Sequence, residues 1–278
     1  MPAASGARRM PLVRANGLDI HYRVTGEGTE TVLLVNGVGD DLEGWMMQVA
    51  PLVAAGLRVI AFDNRGVGRS SMPPGPYSSR EMAADTKALA DALGVTAFHL
   101  VGVSMGGLIA QEYALAYPSD LRSVVLANTY ARPDAYTRAA FDVWGQVAVA
   151  GGMALMMRQQ APWVFSPEFF DAEPDRLATI VSGGEQSLQP AASFSAQIAA
   201  LVTHDSAGRL GSLETPALVI AAGGDIIIRP SLSHRLFEEL PRASWAIVPG
   251  GHAAFLENPD PWNRAVIEFI DRHRAAVH

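Results

Sequence analysis

Three side chains in this sequence have the types, order and surroundings that nucleophilic catalysis needs. They are Ser104 within Gly102-Val103-Ser104-Met105-Gly106, Asp225 after Gly223-Gly224, and His252 after Gly250-Gly251. A serine hydroxyl is a poor nucleophile at neutral pH. A histidine that accepts its proton activates it, and a carboxylate behind the imidazole fixes the tautomer and stabilises the imidazolium. The chemistry so served is acyl transfer at a carbonyl. The tetrahedral oxyanion also needs donors, each worth about a hundredfold or more in rate. The N–H of Met105 supplies one. The N–H of Val38, between Gly37 and Gly39, is the best placed to supply the second.

A Gly-x-Ser-x-Gly pentapeptide arises by chance in roughly one chain in ten of this size, so its setting decides. The apolar run 97–101 predicts a strand before it, and Leu108, Ile109, Tyr113, Ala114 and Ala116 predict a helix directly after. The serine then sits on a sharp strand-to-helix turn, with the first N–H groups of the helix beside it. Residues 31–35 predict a buried strand that runs into the glycine-rich segment 36–41. Residues 217–222 and 244–248 predict strands that end just before Asp225 and His252. All three groups fall at carboxyl ends of strands, where open α/β sheets collect reactive groups. Asp63 also follows a strand (58–62), but in Asp63-Asn64-Arg65-Gly66 it suits turn contacts, with Arg65 pairing nearby carboxylates. Asp40 and Asp41 could touch substrate or water; solvated loop or helix-capping positions suit them better.

The rest of the chain keeps the same rhythm. Residues 10–24 predict two short strands around Asn16-Gly17, a favoured hairpin turn. Residues 45–55 have helical spacing, with Pro51 bending or restarting the helix. Ser78 and Glu81 form a capping box that opens a helix ended by Gly94. Segments 230–240 and 262–273 predict the last helices. Strands alternating with helices imply an α/β fold with a mostly parallel central sheet and helices on both faces. Between 131 and 210 the strand-like runs vanish, and helical segments alternate with loops around Pro162, Pro167 and Pro174. This predicts a helical lid inserted into a core domain made of residues 1–130 and 211–278. Its apolar side chains serve as the lid's own core or as the lining of a pocket. Trp144, Met157 and Trp163, with Gly37 from the core, are the candidate substrate-binding residues.

Composition narrows the partners. The chain has 278 residues, 49% hydrophobic and 18% charged, which is the balance of a globular protein. A net charge of −7 argues against nucleic-acid binding, and Arg8-Arg9 is only a short basic pair. With no cysteine there is no thiolate chemistry, disulfide or cysteine-held metal. No metal and no cofactor are expected. The segment 1–16 lacks the apolar core of a signal peptide, and no apolar stretch spans a membrane uninterrupted. A cytoplasmic location without membrane association is the expectation, and homo-oligomerisation stays open.

The elbow at 102–107, the turn Asp63-Asn64-Arg65-Gly66-Val67-Gly68-Arg69-Ser70, Gly224-Asp225 and Gly251-His252 together resemble the α/β-hydrolase fold superfamily along nearly the whole chain. Many members carry His-Gly where this chain has Asn36-Gly37. That asparagine, the Asp63 to Ser70 turn and Pro76-Tyr77-Ser78 are similar to the 3-oxoadipate enol-lactonase group and the serine carboxylesterases near it. The resemblance implies the α/β-hydrolase fold and a Ser104, His252 and Asp225 triad that cleaves a small-molecule ester or lactone through acyl-Ser104. A dicarboxylate lactone would want cations, for which Arg132, Arg138 and Arg158 are available. Serine at the elbow argues against the haloalkane dehalogenase and epoxide hydrolase branches, which use a carboxylate. Two other readings stay open: carbon–carbon bond hydrolysis or cofactor-free oxygen chemistry on the same triad, and a small-molecule-binding signalling protein on this fold.

Overall fold

The uninterrupted apolar runs form the inner strands of one eight-stranded sheet. The structure, a computed structural model, describes residues 11–186 and 189–275; what the sequence suggests for residues 1–10 lies outside them. In chain order the strands are β1 (Leu12–Ala15), β2 (Leu18–Thr25), β3 (Glu30–Val35), β4 (Leu57–Phe62), β5 (Phe98–Val103), β6 (Leu121–Ala127), β7 (Ala217–Ala222) and β8 (Ala243–Val248). Side by side they run β1-β2-β4-β3-β5-β6-β7-β8. The β1–β2 and β2–β4 pairs are antiparallel, and every pair from β4 onward is parallel. Asn16 (φ 46°) and Gly17 (φ 73°) make the β1–β2 hairpin.

Parallel strands need crossovers, which the helices between them supply, and two further helices follow β8. The helices are α1 (Val49–Ala54), α2 (Ser79–Ala92), α3 (Met105–Ala116), α4 (Ala135–Val164), α5 (Pro167–Ala172), α6 (Pro174–Glu185), α7 (Ala191–Thr203), α8 (Pro230–Glu239), α9 (Ala254–Glu257) and α10 (Pro259–Asp271). Side chains alternate along each strand, so the sheet carries a core on each face. Leu33, Val35, Leu100 and Leu126 pack with Leu89 of α2 and Ile109 of α3. Val32, Leu34, Val101 and Val125 pack on the other face with Leu52 of α1 and with Trp262 and Phe269 of α10. Four helices, α4 to α7, lie between β6 and β7.

Helix ends follow local chemistry. Ser78 Oγ accepts from Glu81 N–H at 3.2 Å, which is one half of a capping box; the Glu81 carboxylate pairs with Arg65. Helices α5, α6, α8 and α10 each begin on a proline, where the missing N–H costs no helical bond. Two expectations need correction. Residues 45–55 are not one helix: Leu42–Trp45 makes a 3₁₀ turn and α1 starts afresh at Val49, so Pro51 sits in the first turn, where it is tolerated. Pro162 is not in a loop but near the end of α4. The break in α4 is instead at Gly152 (φ 81°, ψ 169°), a conformation glycine adopts without a side-chain clash. By length and apolarity α4 could cross a membrane, which the sequence reading did not anticipate; here it packs against α6 and α7.

The β5–α3 junction is tightly packed. A Cβ at Gly106 would stand 2.0 Å from the carbonyl oxygen of Val35 and 2.8 Å from that of Asn36. A Cβ at Gly102 would stand 2.2 Å from the carbonyl oxygen of Gly106. Backbone meets backbone here, so no side-chain rearrangement relieves the clash. Gly106→Ala is expected to cost about 3 kcal/mol, read as a lower Tm or as loss of folded protein. An unchanged Tm would show that the strand and the elbow can separate.

Candidate active site

Ser104 turns the chain from β5 into α3 with φ 54° and ψ −119°. A non-glycine residue in such a conformation stores roughly 1–3 kcal/mol. The surrounding bonds hold it there: Ser104 N–H donates to the Ala127 carbonyl at 2.9 Å, and Thr129 Oγ1–H donates to the Ser104 carbonyl at 3.0 Å. His252 Nε2 lies 3.0 Å from Ser104 Oγ, and His252 Nδ1 lies 2.7 Å from Asp225 Oδ2. Asp225 Oδ1 accepts the N–H groups of Ile227 and Ile228 at 2.9 and 2.8 Å, and Oδ2 also accepts from Asn128 Nδ2 at 3.1 Å. The carboxylate is thereby fixed with Oδ2 facing the imidazole. That selects the tautomer with the proton on Nδ1 and leaves Nε2 free to accept from the serine.

Three side chains that sequence reasoning missed hold this arrangement. Asn128 follows β6 with φ 48° and reaches Asp225; its place at a strand's carboxyl end was the available signal. Thr129, the next residue, grips the Ser104 carbonyl. Glu257 on α9 accepts from Gly251 N–H at 2.9 Å and from Ser166 Oγ at 2.6 Å, pinning the loop that carries His252. It stands in an ordinary helical pattern, and nothing in the sequence marks it.

Burial disfavours a charged His252. The Asp225 charge and hydrogen bond, joined by the charge of Asp40, more than offset this and hold its pKa above the ordinary histidine value. Burial, reinforced by Asp41 and opposed by His252, pushes the Asp40 carboxyl up to about 7. As a general base His252 would have to be neutral to accept a proton, so in that role activity is expected to be lost as the pH falls through this raised value. Asp40→Asn removes one of the groups that raise it. The acid limb of kcat/KM is then expected to move to lower pH. A limb that stays in place would show that the two groups do not interact.

Ser104 and His252 open on a cavity of about 520 Å³. Gly37, Val38 and Asp40 line one side, and Trp144, Met157, Ala161 and Val164 of α4 line another. A Cβ at Gly37 would lie 3.5 Å from Ser104 Cβ and 3.4 Å from Asp40 Oδ2, so the loop passes directly beside Ser104. Met105 is the first residue of α3, where an N–H has no acceptor within the helix. Trp163 does not line the cavity. It is 36% exposed, because residues 157, 160, 161 and 164 share the cavity-facing arc of α4 and position 163 lies off it.

The other candidates have structural partners. Asp63 accepts from Leu42 N–H and Arg69 N–H, each at 2.8 Å, and bonds His21 Nδ1 at 2.7 Å. Arg65 pairs with Asp85 and Glu81. Asp41 caps the 3₁₀ turn through Glu43 N–H at 2.9 Å, whereas Asp40 stands in the cavity wall and is no solvated loop residue. Arg132 pairs with Asp205, Arg138 bonds the Val202 carbonyl and Arg158 pairs with Glu185; none of them lines the cavity. Among the described residues no three His, Asp or Glu side chains converge as metal ligands.

Sheet order, strained serine and cavity together define a class. The family model of the alpha/beta hydrolase fold matches residues 30–259, and the chain belongs to that family. Similar proteins in Variovorax paradoxus (32% identical; 92% of this chain, 97% of that one) and Azorhizobium caulinodans (33%; 94% and 98%) carry the name carbamate hydrolase RutD, given provisionally. Among solved structures, the enol-lactonase from Burkholderia xenovorans superposes with a TM-score of 0.88 at 27% identity, covering 94% of this chain and 100% of that one. A meta-cleavage product hydrolase from Pseudomonas fluorescens gives 0.82 at 26%, covering 95% and 98%. The protein is a hydrolase of this fold.

Proposed function

We propose that this protein is a serine hydrolase that cleaves a small, neutral carboxylic ester or lactone through an acyl-Ser104 intermediate. The observation that carries the reading is the hydrogen-bonded line from Ser104 Oγ through His252 to Asp225, with spacings of 3.0 and 2.7 Å, opening on the cavity. His252 takes the Ser104 proton as Oγ attacks the carbonyl. The N–H groups of Val38 and Met105 receive the oxyanion, and His252 then protonates the leaving alcohol. Water activated by His252 releases the acid. Helices α4 to α7 act as a lid, since α4 and α6 supply wall to the cavity.

The cavity favours an uncharged substrate. Trp144, Met157, Val164 and Phe165 form apolar wall, and Arg69 is the one Lys or Arg among the described lining residues, against Asp40, Asp41 and Glu43. A dicarboxylate lactone finds no cation cluster there. Carbamates, the substrates that the relatives' names give, present the same carbonyl to the same groups. The likeness to the meta-cleavage product hydrolase favours carbon–carbon bond hydrolysis as the second reading.

The test is a panel of aryl esters, neutral and dianionic lactones, aryl carbamates and a vinylogous 1,5-diketone. Turnover of the neutral esters or lactones well above that of the dianionic ones is expected. Turnover of the diketone alone would favour the second reading, and no turnover at all would count against both.

A further inference from the structure

The loop that carries Val38 is tied at its ends by Asn36 Nδ2, which donates to the Asp41 carbonyl at 2.6 Å, but that bond does not reach residues 37–39. Gly37 and Gly39 flank Val38, so neither neighbour offers a side chain for packing. Gly39 has φ +81°, a region where only glycine is at ease. Without an external anchor, this backbone has several conformations of similar energy, and only some aim the Val38 N–H at an oxyanion.

The anchor comes from α7. Gln197 is fully buried. Its Oε1 accepts from Gly39 N–H at 3.0 Å and from Gln189 Nε2 at 3.0 Å. Its Nε2 donates to the Arg65 carbonyl at 2.8 Å. Gln189 Nε2 also donates to the Gly66 carbonyl at 2.8 Å. A carbonyl cannot donate, so the Arg65 contact orients the amide and leaves Oε1 facing Gly39. One turn earlier on α7, the Phe194 ring lies 3.2 Å from where a Cβ at Gly39 would stand. The Gly39 peptide is therefore held by a hydrogen bond and backed by an aromatic ring, both from one helix. Fixing the N–H of residue 39 fixes the plane of the peptide that joins it to Val38.

We propose that Gln197 is a positioning residue for the oxyanion loop, so that α7, inserted between β6 and β7, helps to complete the oxyanion site without lining the cavity. This rests on the reading of Ser104 as nucleophile and of Val38 as an oxyanion donor. Gln197 touches no reacting atom. Its effect reaches the reaction through Gly39 and Val38, and it appears where the oxyanion forms rather than where substrate binds.

The experiment compares wild type, Gln197→Leu and Gln189→Leu, with Ser104→Ala alongside, using the best neutral ester of the panel and an aryl trifluoromethyl ketone that adds to the nucleophile as a tetrahedral oxyanion. Gln189→Leu removes part of the same buried network but keeps the bond from Gln197 to Gly39. For Gln197→Leu, kcat is expected to fall by about tenfold to a hundredfold, with KM within about twofold. Affinity for the ketone should fall by a similar factor. Gln189→Leu should lower Tm comparably while kcat falls less than about threefold. A Gln197→Leu enzyme with wild-type kcat and ketone affinity would overturn the proposal. So would equal losses in the two variants that follow Tm, which would mark the network as structural only. Turnover retained by Ser104→Ala would instead defeat the serine reading itself, and this proposal with it.

Discussion

Ser104→Ala is expected to lower kcat/KM for the best ester by about 10⁴- to 10⁶-fold while leaving Tm close to that of the wild type. On the acyl-serine reading the hydroxyl forms the covalent bond, and among the described residues the cavity offers no second hydroxyl with a histidine 3.0 Å away. The stability should hold because the turn is fixed by backbone contacts. The Ser104 N–H to Ala127 and the Thr129 hydroxyl to the Ser104 carbonyl survive the substitution. Steady-state kinetics and thermal denaturation on the same preparation check both halves. Activity within about tenfold of wild type would mean that water, not Ser104, is the attacking group.

Asp225→Asn should be nearly as damaging, with a loss of about 10⁴-fold in kcat at neutral pH. The reason lies in the contacts of Oδ1. The N–H groups of Ile227 and Ile228 both donate to it, so an asparagine must place its oxygen there and its NH₂ where Oδ2 was. That NH₂ then faces His252 Nδ1 and opposes the Asn128 donor. To satisfy it, His252 must move its proton to Nε2, the nitrogen that has to accept from Ser104. The Asp225 charge that raises the His252 pKa is lost as well. The acid limb of the residual activity should therefore move to lower pH. A variant that keeps wild-type kcat and pH profile would remove Asp225 from the mechanism.

The sequence carried the fold where local signals were strong. The run at 31–35 is apolar on both faces, and β3 is buried along its whole length. Ser104, Asp225 and His252 were legible because each directly follows such a run at a glycine-rich turn. Of their supports only Asn128, at a strand's carboxyl end, left a signal, and the contacts themselves come from afar: Asn128 lies 97 residues from Asp225, and Glu257 lies 91 from Ser166. Trp163 was misplaced because an apolar type does not reveal helix phase, and α4 is interrupted at Gly152. Asp40 looked like any loop carboxylate; only the path of the loop past Ser104 sets it in the cavity wall. Gln197 carried no signal, since a buried amide 158 residues from Gly39 is recognised only by the contact it makes.

The most direct measurement is the mass of the protein during turnover. Enzyme mixed with an activated ester, quenched in acid within the first turnovers and mapped by peptide mass spectrometry should carry the acyl group on Ser104, approaching one per chain. The adduct should be absent from Ser104→Ala. Rapid turnover with no adduct on Ser104, or with the acyl group on another residue, would contradict the acyl-serine mechanism.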